Sequence, residues 1–239
     1  MRTDRISAGS FDLNKWLYGG YEKDIITTIY GPAGSGKTNF CVLAASSMAK
    51  KDKKVIFIDS EGGFSLDRFK QVTGEEYEKA LKNILLLKPV TFDEQEKAFE
   101  KMLKEIKGVG LIVVDGMTML YRLELANCKE DEMKVKEINS QLARQLRTLA
   151  EISRNKLIPI IATNQTYSEF LSDEDFRAGK KPEARMVGGD LLKYWSKCII
   201  ELKQEGKNRK AILKKHRSMA EKELNFYITG SGIKKRRWI

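Results

Sequence analysis

The sequence predicts an α/β fold: a mostly parallel central sheet flanked by helices, with antiparallel strands toward the C-terminus. Three features carry that reading. Short apolar runs at Val55–Ile58, Ile84–Leu87 and Leu111–Val114 alternate with helical patterns, as parallel strands buried on both faces do. A phosphate-binding loop of the form G-x-x-x-x-G-K-[ST] spans Gly31 to Thr38, between a β-branched run and a helical pattern. Beyond residue 197, apolar runs separated by turn residues read as antiparallel strands. A chain of 239 residues can bury one large core, so one domain over 1–239 is expected.

Charge and cysteine content bound the partners. Lys plus Arg number 44 against 33 Asp plus Glu, and the net charge of +11 favours a polyanion such as nucleic acid. Cys41, Cys128 and Cys198 are too few and too scattered for a disulfide framework or a Cys-x-x-Cys metal site, and His216 is the single histidine. A reducing, cytoplasmic setting is expected. Met1 to Ser10 is charged and lacks an apolar run, so neither a signal peptide nor a membrane span is read there.

In chain order, Ser7 to Gly20 is a turn-rich opening around an amphipathic Phe11–Leu17. Ile25–Tyr30 is the first strand and Thr38–Lys51 its helix. Between them Gly31, Pro32, Ala33, Gly34, Ser35 and Gly36 bring backbone N–H groups against phosphate oxygens. Lys37 is expected to reach the β- and γ-phosphates of ATP and the Thr38 hydroxyl to ligate Mg2+, with Asn39 closing the binding stretch. Val55–Ile58 ends in Asp59-Ser60-Glu61-Gly62-Gly63. A carboxylate at this carboxyl edge of the sheet makes Glu61 the candidate for orienting an attacking water.

Leu66–Leu81 reads as two short helices broken at Thr73-Gly74. Thr91 to Glu94 fits a capping box ahead of an apolar stripe at Ala98, Phe99, Met102, Leu103 and Ile106. Leu111–Val114 closes on Asp115, the Walker B pattern whose acid holds Mg2+. Tyr121–Asp131 has no clean period and reads as a loop. Val135 to Ile152 repeats apolar residues every three or four positions, a long helix packed on the sheet. Leu157–Ala162 is a further buried strand, tipped by Thr163-Asn164-Gln165, amides that suit a γ-phosphate or its lytic water.

Thr166–Val187 is long, charged and poor in core residues, and carries Arg177, Lys180, Lys181 and Arg185. Strands follow at Cys198–Leu202, Arg209–Lys215 and Glu223–Thr229. Lys203, Lys207, Arg209, Lys210, Lys214, Lys215 and Arg217 face only Glu205 in their stretch, and Lys234 to Arg237 form a second basic cluster beside Trp238.

Taken together, the Gly9-Ser10 opening, the phosphate loop, Ile58-Asp59-Ser60-Glu61-Gly62, Leu111–Asp115, Thr163-Asn164-Gln165 and Gly188-Gly189-Asp190-Leu191-Leu192 fall in the order seen in RecA-family recombinases. The chain resembles the archaeal RadA group most, as a short core-only paralogue. The chain is expected to lack the helix-hairpin-helix domain of that group, since the core motifs begin almost at once, and the Phe-x-x-Ala sequence that links its subunits into filaments occurs nowhere in it.

The resemblance implies a RecA-like P-loop ATPase core that binds ATP and Mg2+ and hydrolyses ATP weakly, an accessory of homologous recombination beside a RadA-type recombinase. It implies Lys37, Glu61 and Gln165 as catalytic, Thr38 and Asp115 as the metal pair, and Tyr121–Asp131 and Thr166–Val187 as DNA-facing loops. Arg177, Lys180, Lys181, Arg185, Lys214, Lys215 and Arg217 are the basic residues expected on DNA, single-stranded DNA first. A homodimer or small oligomer is expected. An ATP-gated protein adaptor and a KaiC-like kinase remain as alternatives.

Overall fold

The computed structural model describes residues 4–168, 184–186, 188–206 and 208–236. In chain order its strands are Arg5–Ile6 (β1), Tyr21–Glu22 (β2), Ile26–Gly31 (β3), Lys54–Asp59 (β4), Ile84–Leu87 (β5) and Val109–Asp115 (β6). Ile160–Ser168 (β7), Ala184–Met186 (β8), Ser196–Glu205 (β9), Asn208–His216 (β10), Lys222–Thr229 (β11) and Gly232–Lys235 (β12) complete them. The helices are Phe11–Trp16 (α1), Lys37–Ala49 (α2), Leu66–Thr73 (α3), Tyr77–Leu81 (α4), Phe92–Lys104 (α5), Met119–Asn127 (α6) and Glu132–Lys156 (α7), followed by a short helix at Gly189–Trp195.

The sheet is the expected one. β9, β3, β7, β6, β4 and β5 lie side by side in that order and run parallel. β10, β11 and β12 extend it antiparallel beyond β9. Val55, Ile56, Phe57 and Ile58 are all fully buried, which explains their unbroken apolar spelling: each face of β4 meets a core. One core holds α2, Phe57, Val113 and Ile161; the other holds Ile56, Val114 and the α7 stripe Ile138, Leu142, Leu146 and Leu149. Since successive strand residues point to opposite faces, two cores need both halves of each run.

The helices start where their caps dictate. Thr91 Oγ1 accepts the Glu94 N–H at 3.1 Å. The Glu94 carboxylate reaches past the cap to the Val90 N–H at 2.9 Å, so the box closes one residue early.

Three expectations are corrected. Tyr121–Asp131 is not a loop: α6 occupies Met119–Asn127. Only Leu120 and Tyr121 of α6 are buried while Met119 and Leu123 are exposed, so no continuous apolar stripe marks it. Leu157 is not in a strand; it caps α7 in the left-handed region at φ 53°, half exposed, and β7 begins at Ile160. The segment Thr166–Val187 is not wholly loop, because Thr166, Tyr167 and Ser168 pair antiparallel with Met186, Arg185 and Ala184. No helix among the described residues is long and apolar enough to cross a membrane.

Candidate nucleotide site

The phosphate loop leaves the carboxyl end of β3 and enters α2 through Gly36, whose φ of +108° a Cβ-bearing residue rarely adopts. Lys37 is buried, and its Nζ donates to the carbonyls of Gly31 and Pro32, each at 3.1 Å. Burial lowers its pKa, and the nearby Glu61 and Asp115 carboxylates oppose that shift.

Asp115 terminates β6 two strands away, fully buried. Thr38 Oγ1 donates to its Oδ2 at 2.7 Å and Thr163 Oγ1 to its Oδ1 at 2.6 Å. The Gly116 N–H in turn donates to Thr163 Oγ1 at 2.8 Å, fixing that hydroxyl. Burial pushes the Asp115 carboxyl up to about 6; the two hydroxyls pull it down, and Glu61 and Asp59 add to the rise. Thr163, which the sequence reading named only as part of a strand tip, joins the site through its contact to Asp115. Its place opposite Ile29 in the β3–β7 register is what brings it here.

Glu61 lies in the turn after β4. Asp59 shapes that turn: its Oδ1 accepts the Gly63 N–H at 2.9 Å and its Oδ2 the Phe64 N–H at 3.0 Å. Gly116 permits the approach of Glu61, since a Cβ there would come within 2.6 Å of Glu61 Cγ. Gln165 Nε2 donates to Glu61 Oε2 at 3.0 Å, and Glu61 Oε1 is buried without a hydrogen-bond partner. Asn164 accepts from Thr118 Oγ1 at 2.5 Å, and Gln165 is the amide seen to donate to the glutamate. A recess of about 310 Å³ opens beside this pair, lined by Met119, Arg122, Leu123 and Ala126 of α6. Asn39 is held by Arg68, whose Nε donates to Asn39 Oδ1 at 2.7 Å.

The fit to a divalent cation rests on the donor set. A buried carboxylate and a hydroxyl, both oxygen donors, meet at 2.7 Å, and a Cβ on Gly63 would come within 3.0 Å of Thr38 Oγ1 and 3.4 Å of Asp115 Oδ2. Only a bare glycine leaves that space.

The structure separates the basic residues. Arg177, Lys180 and Lys181 lie outside the described residues, and Arg185 is on β8, paired beside β7. Lys214, Lys215 and Arg217 are elsewhere: β10 runs against β9 and ends at the amino edge of the parallel strands, away from the phosphate loop. Their cations are engaged there. Lys214 pairs with Glu221 at 3.0 Å, Lys215 donates to the Lys193 carbonyl at 2.6 Å, and Arg217 meets buried Glu22 at 2.7 Å and Asp24 at 2.6 Å. Through these contacts they clamp the end of β10 to its neighbours and to the start of the domain.

The Rad51 family matches residues 2–236. The chain belongs to the Rad51 family. Within it the chain is similar to proteins named DNA repair and recombination protein RadB. The one from Methanococcus maripaludis strain C7 is 40% identical over 222 residues, covering 92% of this chain and 96% of the relative. That of Methanobrevibacter smithii is 40% identical over 228 residues, 92% of each. A crystal structure of the RadB recombinase superposes with a TM-score of 0.76 at 31% identity, covering 97% of this chain and all of that one. The resemblance to RecA-family recombinases, read from the ordered motifs, is borne out for family and fold.

Proposed function

We propose that this Rad51-family chain is an ATP- and DNA-binding accessory protein of homologous recombination and DNA repair. It acts in the cytoplasm beside a RadA-type recombinase and turns ATP over slowly. The observation that carries the nucleotide half is the Thr38–Asp115–Thr163 chain of hydrogen bonds at the mouth of the phosphate loop, with Glu61 and Gln165 beside it.

Lys37 would exchange two loop carbonyls for the β- and γ-phosphates of ATP. Thr38 and Asp115 would hold Mg2+, which neutralises phosphate charge. Glu61 is the base: Oε1 lacks a partner and can take a proton from the water that attacks the γ-phosphorus, while Gln165 holds Oε2. ADP leaves with the bond to the γ-phosphoryl group.

The DNA half draws support from the names of the relatives and from topology. β7 leads from Gln165 directly into the segment bearing Arg177, Lys180, Lys181 and Arg185, and returns as β8. DNA in that segment would therefore act on the residue that touches Glu61. Without a Phe-x-x-Ala sequence the assembly is a dimer or small oligomer.

The test is ATP turnover with and without single-stranded DNA. Stimulation that Glu61→Gln abolishes is expected. Turnover indifferent to DNA, with partner binding that follows the nucleotide, would favour a protein adaptor instead; the internally paired Lys214 and Arg217 are the observation on that side.

A further inference from the structure

We infer, on the reading of Glu61 as the base, that Gln95 of α5 is its positioning residue: Gln95 sets the spacing of the two turns between which the Glu61 side chain is held.

The turns after β4 and β6 lie side by side. Asp59 and Asp115 are partners in the strand register, and the Ser60 N–H donates to the Asp115 carbonyl at 3.0 Å. Gln95 spans the two turns from α5. It is fully buried; its Oε1 accepts from Ser60 Oγ at 3.1 Å, and its Nε2 donates to the Met117 carbonyl at 3.2 Å. Nε2 also donates to Gln145 Oε1 on α7 at 2.8 Å. A carbonyl can only accept, so Met117 fixes which end of the amide is nitrogen, and both hydrogens of that nitrogen have an acceptor.

The bonded neighbours matter because of what stands next to them. Ser60 precedes Glu61. Met117 follows Gly116, where a Cβ would come within 2.6 Å of Glu61 Cγ. Gln95 therefore ties the neighbour of the glutamate to the neighbour of the glycine that its side chain rests against. One residue farther, Thr118 donates to Asn164, which precedes the Gln165 that holds Glu61 Oε2.

The cost of the arrangement points the same way. Gln145 Nε2 is buried with no hydrogen-bond partner among the described residues. An unpaired buried donor destabilises, and two apolar side chains of similar shape would pack α5 against α7 without it. Packing alone does not call for an amide at Gln95; a link between Ser60 and Met117 does.

The test uses Gln95→Met, which keeps the length and removes the bonds to Ser60, Met117 and Gln145, and Ser60→Ala, which removes only the first. ATP affinity is read with a fluorescent nucleotide and turnover by single-turnover phosphate release, each also in the Glu61→Gln background. Misplacing a catalytic group by about 1 Å costs up to about 100-fold, so Gln95→Met should lose about ten-fold in turnover and Ser60→Ala about three-fold. ATP affinity should stay at the parent's, since Lys37 and Thr38 keep their contacts. With Glu61→Gln already present, Gln95→Met should change turnover by less than about two-fold, because no base is left to aim. A merely structural role predicts an equal loss in both backgrounds and a fall in ATP affinity. Either result overturns the inference, and so does parental turnover in Gln95→Met. If Gln95→Met does not fold, Ser60→Ala decides by the same comparisons. Turnover that Glu61→Gln itself leaves unchanged overturns instead the reading of Glu61 as the base.

Discussion

Gln165 donates its side-chain amide to Glu61 Oε2 at 3.0 Å, joining the tip of β7 to the turn after β4, while Glu61 Oε1 stays buried with no partner. A buried carboxylate oxygen without a hydrogen bond is costly and calls for a reason. The proposed role supplies one: Oε1 would receive the attacking water. Glu61→Gln keeps the shape and the contact to Gln165 but removes the base. It should bind ATP as the parent does and lose roughly 100-fold or more in turnover, the range of a positioned general base. Fluorescent-nucleotide binding and phosphate release measure the two. Undiminished release would transfer the water-positioning role to Gln165.

Lys37→Ala separates binding from folding. The lysine gives up two hydrogen bonds to loop carbonyls, but its removal also relieves the cost of burying an ammonium, so the fold should survive and the thermal midpoint should change modestly. Its charge-assisted contacts to phosphate are worth about 1.5–3 kcal/mol, which is roughly a 10- to 100-fold loss of ATP affinity. ATP affinity equal to the parent's would remove Lys37 from the site.

Much of this site was legible because its residues stand at the ends of strands, where spelling is strict. Asp115 closes an apolar run and Gln165 follows another; a parallel sheet brings all such ends to one edge. Thr163 was harder, since nothing in a lone threonine signals that register will set it against Asp115. α6 was hidden by its exposure: with one turn buried, Met119 and Leu123 face outward and break the period. The basic cluster was legible only in part. Charge is countable in a sequence, but its pairing is not, and Asp24 and Glu22 lie almost the length of the chain away from Arg217.

Arg217→Ala should therefore be a stability variant. Glu22 is buried and shares Arg5, His216 and Arg217, with Arg5 at 2.7 Å and His216 at 3.8 Å. Breaking a buried pair costs about 3–5 kcal/mol, but Arg217 is about one third exposed, so we expect about 1–2 kcal/mol. The pH dependence has a sign. The Arg217 hydrogen bond chiefly holds the Asp24 pKa below its usual 3.8, so Asp24 contributes stability that is present above that value and lost as pH falls through the lowered folded pKa. Denaturant melts of parent and variant from pH 7 to 2 should diverge most at neutral pH and converge in acid. A constant gap across that range would show that Asp24 plays no part.

Salt dependence distinguishes which basic residues would meet DNA. Contacts to phosphate release counterions, so affinity falls with salt at a log-log slope of roughly −0.7 per phosphate neutralised on a single strand. Lys214 and Arg217 are already paired at the amino edge of the sheet, and Lys215 is spent on a carbonyl, so neutralising them adds little to that slope. β7 runs past Gln165 to Ser168 at the carboxyl edge, and its antiparallel partner β8 carries Arg185. Replacing Arg177, Lys180, Lys181 and Arg185 together should flatten the slope by about two to three, weaken binding alike on all sequences, and reduce DNA stimulation of ATP turnover. Replacing Lys214 and Lys215 should leave the slope near the parent's. If the second pair flattens it and the first set does not, the DNA path crosses the amino edge, and the link from DNA through Gln165 to Glu61 fails with it.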